Sequence, residues 1–205
     1  MTNESQVEPV APSPALLAAL GTEHFALQSA ASSTIGESGG RASIYLAAVS
    51  GGLVAIGFAG QAPGLLLAFA STVFPTLFAL GWFTVVRLVD TSVVNAVALA
   101  RIQRIRAYYA SLDPSAAPFF PPDSLGSQGS LGVRYRRGSV LFTTATMVAV
   151  VNSVVGGSGA AMMLSAFTRI GVLGSVLAGV GFGLVALGAS LRYQIRRFSP
   201  LLNRG

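Results

Sequence analysis

Four stretches of this chain, residues 42–60, 64–86, 138–155 and 170–191, run for 18 to 23 residues without a charged side chain. In a helix rising 1.5 Å per residue, about 19 residues cover about 28 Å, close to the ~30 Å hydrocarbon core of a bilayer. What remains cannot build a water-soluble surface: 10% of residues are charged and 52% are hydrophobic, whereas a soluble domain is about 25% charged. The chain therefore reads as an all-α, polytopic membrane protein with four transmembrane helices.

Only Gln61, Ala62 and Pro63 separate the first two stretches. So short a connection predicts an antiparallel hairpin, with Pro63 at a helix start, where its missing N–H does least harm. The third stretch is more polar, carrying Thr143, Thr144, Thr146, Asn152 and Ser153. Gly156 to Ser158 reads as a turn that separates it from the fourth, giving a second hairpin. The expected map is a disordered tail (1–14), a short N-terminal helix (15–41), hairpin one (42–87) and a cytoplasmic helix (88–112). A Pro/Gly/Ser-rich linker (113–137), hairpin two (138–191) and a basic C-terminal tail (192–205) complete it. Ser13 and Pro14 suit an N-cap and first helical residue. Gly36, Gly39 and Gly40 leave open whether helix one is broken, and Glu37 and Arg41 would pair at i,i+4 if it continues.

All thirteen basic residues are arginine. Twelve of them fall on one side of the expected spans, Arg169 being the exception. The positive-inside rule makes that side cytoplasmic, with both termini inside a plasma membrane. Tyr45, Trp82 and Tyr193 would then lie near the cytoplasmic interface. The net charge of +6 thus has a topological explanation, and nucleic acid is not an expected partner, since no aromatic platform accompanies the arginines. Anionic headgroups are the expected partner of Arg134, Arg136 and Arg137, and of Arg192, Arg196 and Arg197.

The chain has no cysteine, one histidine (His24) and seven acids, none inside an uncharged stretch. Thiolate chemistry and cysteine metal sites are excluded, and a lone imidazole falls short of the two or three that catalytic zinc usually takes. No cofactor or metal is expected. Acid–base or nucleophilic catalysis needs positioned titratable groups, so an enzyme is not expected either. His24 could sense pH. Asp90 fits a salt bridge better than proton carriage.

Three patterns are candidates for interaction. Gly171, Ser175, Gly179 and Gly183 fall at four-residue steps, as do Ala47, Gly51, Ala55 and Ala59. Such stripes let helices approach closely, either within one chain or between copies. Val94, Ala98, Ile102, Ile105, Tyr109 and Leu112 hold one face of a helix, and that apolar face needs a partner. Pro75, beside Thr72 and Thr76, should bend the second span, as static packing or as a hinge.

The string His24-Phe25-Ala26-Leu27-Gln28, then Glu37, Gly40-Arg41 and Tyr45-Leu46, then Arg101-Ile102-x-Arg104-Ile105-Arg106-x-Tyr108-Tyr109, resembles uncharacterised four-span membrane proteins of high-GC bacteria. That resemblance implies topology and carries no catalytic residues. A membrane hairpin running into a cytoplasmic helix is also similar, in architecture alone, to two-span effectors of bacterial nucleotide-signalled defence. The expected function is non-enzymatic: self-association or partner binding in the membrane, in one version as a membrane effector. The alternative is a channel or transporter subunit, with span three's hydroxyls lining a wet path.

Overall fold

The computed structural model describes residues 12–112 and 143–202. They form four helices: α1 (Pro14–Ala59, 46 residues), α2 (Pro63–Leu112, 50 residues), α3 (Thr144–Phe167, 24 residues) and α4 (Gly171–Leu202, 32 residues). All four are long and apolar enough to cross a membrane.

Helix α1 starts as its sequence dictates. Ser13 accepts a hydrogen bond from the Leu16 N–H at 3.2 Å, and Pro14 opens the helix. It then continues unbroken through Gly36, Gly39 and Gly40, with Arg41 Nε donating to Glu37 Oε1 at 2.9 Å. The expected boundary between a separate N-terminal helix and the first span is therefore no break. Glycine lowers helix propensity by about 1 kcal/mol relative to alanine, which the apolar run that follows and the packing of α1 on α2 override. Helix α2 likewise runs past Arg87 without interruption, so residues 88–112 continue the second span as its pattern predicts.

At 1.5 Å per residue, α1 and α2 are about 69 and 75 Å long, more than twice the ~30 Å apolar core of a bilayer. Each therefore has an apolar part and a part that projects well beyond it. The two run antiparallel, and their projecting parts pack on each other through Leu27 and Ala31 of α1 and Ala98, Ile102 and Ile105 of α2. We call this pair the stalk.

Two boundaries differ from expectation in the second half. Gly156 to Ser158 form no turn: they lie inside α3, where Gly156, Gly157 and Gly159 are buried. The connection to α4 is instead Thr168 to Ile170, and Gly171, at φ +80°, takes the left-handed conformation that opens α4. The charge pattern carried this signal, since the uncharged stretch runs on to Thr168. Beyond Leu191 the chain stays helical to Leu202, so most of the expected basic tail belongs to α4. The expected linker and the first eleven residues lie outside the described residues.

The helices form an open row. Helix α2 packs on α1 and on α3, and α3 on α4, while α1 and α4 share no contact among the described residues. The main core lies along this row: Tyr45 and Val49 of α1, Phe74, Leu77, Val85 and Leu88 of α2, Val148 and Ala149 of α3, and Phe198 of α4. Side chains pointing away from the row are apolar and uncovered, Val185 being 72% exposed and Phe58 likewise 72%. In water that surface would be costly at about 25 cal/mol per Å². Against lipid tails it costs nothing.

Candidate functional site

From Ser175 onward the stripe on α4 is used inside the chain, whereas Gly171 at its start is exposed with open space before it. Ser175 is 1% exposed and returns its hydroxyl to the Gly171 carbonyl at 3.0 Å, which satisfies it within its own helix. Gly179 and Gly157 face each other so closely that each would press a Cβ on the other's carbonyl; a Cβ on Gly157 would lie 2.7 Å from the Gly179 oxygen. One on Gly183 would lie 2.9 Å from the Ser153 oxygen. Helices α3 and α4 thus touch backbone to backbone, the geometry that small residues permit where lipid supplies no hydrophobic drive. The matching glycines of α3, Gly156, Gly157 and Gly159, have the composition of a turn and are helical here.

The stripe on α1 behaves differently. Ala47 and Gly51 face outward, and a Cβ on Gly51 would meet nothing within 4 Å. Ala55 is half-buried, and the face that packs on α2 is instead that of Ala42, Tyr45, Val49 and Gly52. Gly36 and Gly40, toward the stalk, are equally open.

The polar side chains of the third span bridge helices. Tyr45 donates its hydroxyl to Asn152 Oδ1 at 3.1 Å, and Gly81 of α2 lies against both groups. Three helices therefore meet at one hydrogen bond. Thr146 donates to Gln194 Oε1 of α4 at 3.0 Å, with Gln194 fully buried, while Ser153 donates back to the Ala149 carbonyl at 2.7 Å. Tyr45 is 0% exposed, so its ring serves helix packing. Its burial follows from Asn152, whose amide requires a partner once it leaves water. Nothing in the sequence singled out Gln194 or Gly81, because neither belongs to a periodic pattern.

On α2, the face holding Ala98, Ile102 and Ile105 is covered by α1, and Tyr109 donates its hydroxyl to the Leu17 carbonyl at 3.1 Å. The partner that this amphipathic segment required is thus supplied in large part by the same chain. Val94 and Leu112, at the two ends of the face, remain exposed. Pro75 lies on an exposed face within an unbroken α2. Thr72 donates to the Phe69 carbonyl at 2.9 Å and Thr76 to the Thr72 carbonyl at 2.7 Å, local bonds that engage the hydroxyls on either side of it. His24 is half-buried in the stalk.

The arginines divide into tied and untied groups. Arg197 donates to Asp90 Oδ1 at 2.7 Å and to the Tyr193 hydroxyl at 3.3 Å, while Arg87 approaches Glu37 at 3.6 Å. Asp90 is thus a salt-bridge partner of a residue 107 positions away. Arg192 and Arg196 are exposed and take part in none of the ion pairs among the described residues. Arg134, Arg136 and Arg137 lie outside the described residues.

Four long apolar helices with an uncovered apolar exterior support a multi-pass membrane protein. No protein-family model matches the chain, and comparison with curated proteins and with solved structures returns no match.

Proposed function

We propose that this is a non-enzymatic, integral plasma-membrane protein that acts by self-association. Its four spans form two hairpins, both termini are cytoplasmic, and the stalk stands in the cytoplasm with the arginines that the positive-inside rule retains there. The observation that carries the reading is the open row. Helices α1 and α4 do not touch each other among the described residues, and on α1 Ala47 and Gly51 face outward with open space before Gly51, although Ala59 of the same stripe is buried. A second copy laid on this stripe would gain the close backbone contact that α3 and α4 already make with each other.

A channel or transporter subunit is the second reading. The hydrogen bonds from Tyr45 to Asn152 and from Thr146 to Gln194 weigh against it, since they commit to helix packing the polar groups that would have lined a wet path.

The test is the mass of the full chain extracted directly into native-lipid nanodiscs. A homo-oligomer that Gly51→Leu converts to monomer supports the proposal; a wild-type monomer defeats it. Because the chain contains no cysteine, single replacements report topology cleanly. In intact cells an impermeant maleimide should label Gln61→Cys and leave Ser13→Cys unlabelled.

A further inference from the structure

Helices α2 and α4 are joined by an aromatic pair and, further along, by an ion pair. The rings of Phe78 and Phe182 pack with centroids 5.5 Å apart, over the α3 backbone at Gly156. Arg197 binds Asp90 at 2.7 Å. From the aromatic pair toward Ala189 runs an open groove of about 500 Å³, lined by Phe78, Trp82 and Phe83 of α2 and Phe182, Val185 and Ala189 of α4. Its lining runs from Phe78 to Phe83 on α2 and from Phe182 to Ala189 on α4, about 8 and about 10 Å of helix, and is apolar throughout, which suits a stretch of hydrocarbon chain.

The groove has a charged end. Arg192 and Arg196 lie three and seven residues beyond Ala189, on the same face of α4. Both are exposed, and neither has an acidic partner among the described residues. Their neighbour Arg197 already donates to Asp90. An apolar groove with two guanidinium groups, unpaired with acids, within two helical turns of its last lining residue complements a molecule with a hydrocarbon tail and an anionic head. Guanidinium forks match phosphate oxygens in geometry as well as charge.

We propose that the α2–α4 groove is a binding site for an anionic phospholipid, with one acyl chain between Trp82 and Val185 and its phosphate held by Arg192 and Arg196. The inference rests on the reading of the chain as a membrane protein. It does not depend on self-association.

Trp82 is the only tryptophan in the chain and lines the groove, so its fluorescence reports the occupant directly. The experiment uses the full chain in phosphatidylcholine vesicles titrated with phosphatidylglycerol or phosphatidylcholine brominated on the acyl chain. Brominated phosphatidylglycerol should quench Trp82 at about a tenfold lower mole fraction than brominated phosphatidylcholine, the preference expected of two arginines partly screened by salt. The double variant Arg192→Gln, Arg196→Gln should bring the two curves together while leaving quenching in place. Both substitutions are at exposed positions, so the fold should survive them. Coincident curves for the wild-type protein, or a preference that survives the double substitution, would overturn the proposal. So would a Trp82 that neither lipid quenches in protein floating with the vesicles, since the groove would then be filled by protein. Failure to float would instead defeat the membrane reading itself, and the lipid site with it.

Discussion

The Tyr45 hydroxyl donates to Asn152 Oδ1 at 3.1 Å, and Gly81 of a third helix closes over both groups. This places a polar bond between residues 107 positions apart, each nearly or fully excluded from its surroundings. Measured bonds of this kind between membrane helices are worth about 0.6 kcal/mol on average and up to about 1.7. A double-mutant cycle with Tyr45→Phe and Asn152→Ala, read by reversible unfolding in mixed micelles, should give a coupling energy in that range. A coupling indistinguishable from zero would mean that the bond contributes nothing to holding α1 on α3.

Gly179 separates two possible roles of the α4 stripe. Gly179→Leu should destabilise the monomer itself, because the new side chain meets the Gly157 carbonyl and Ala161, and overpacking of this kind costs about 1–3 kcal/mol. Gly51→Leu should leave the monomer's thermal midpoint unchanged, since it enters open space. The check is a thermal scan of both variants under conditions where the wild type is monomeric; equal loss in both would contradict the assigned faces.

The stalk holds its own small core. Ile102→Ala removes a side chain 5% exposed between Leu27, Ala31 and Ile105. Truncations of this type cost about 2–5 kcal/mol, at the lower end where the site can collapse. Hydrogen exchange should accelerate in residues 14–35 and 95–112 while residues 70–90 keep their protection. Acceleration spread evenly over all four helices would mean that stalk and spans unfold as one unit.

The pair formed by Arg197 and Asp90 is exposed, with side chains 54% and 33% accessible. Exposed ion pairs of this kind contribute little. Asp90→Asn should therefore shift the thermal midpoint only slightly, and the shift should shrink further in high salt. A large, salt-independent loss would show that the bond acts as a structural pin shielded from solvent.

Much of this architecture was legible because its causes are local. Uncharged runs of bilayer length, Pro63 at a helix start and the Ser13 cap are each decided by a few neighbouring residues. The third span shows where that reasoning stops. Gly156, Gly157 and Gly159 have the composition of a turn, and they became the buried face of a helix. Local propensity assigns glycine to turns, whereas packing of α3 on α4 rewards it with backbone contact that no other residue allows. The interaction surfaces divide in the same way. The period of Ala98, Ile102 and Ile105 announced an apolar face, and only the fold showed that α1 covers it.

By itself, then, the sequence determined that this chain has four helices fit to cross a membrane, because a charge-free run of bilayer length depends on composition and helical rise alone. It equally determined which helix faces are apolar and which carry small residues, since those follow from periodicity. The tertiary structure decided which parts of the stripes are consumed internally and which are left open, and it joined Tyr45 to Asn152 and Thr146 to Gln194. It also opened the groove beside Trp82. Each of these depends on how helices distant in sequence come to lie side by side, and that arrangement is set by the summed fit of their surfaces.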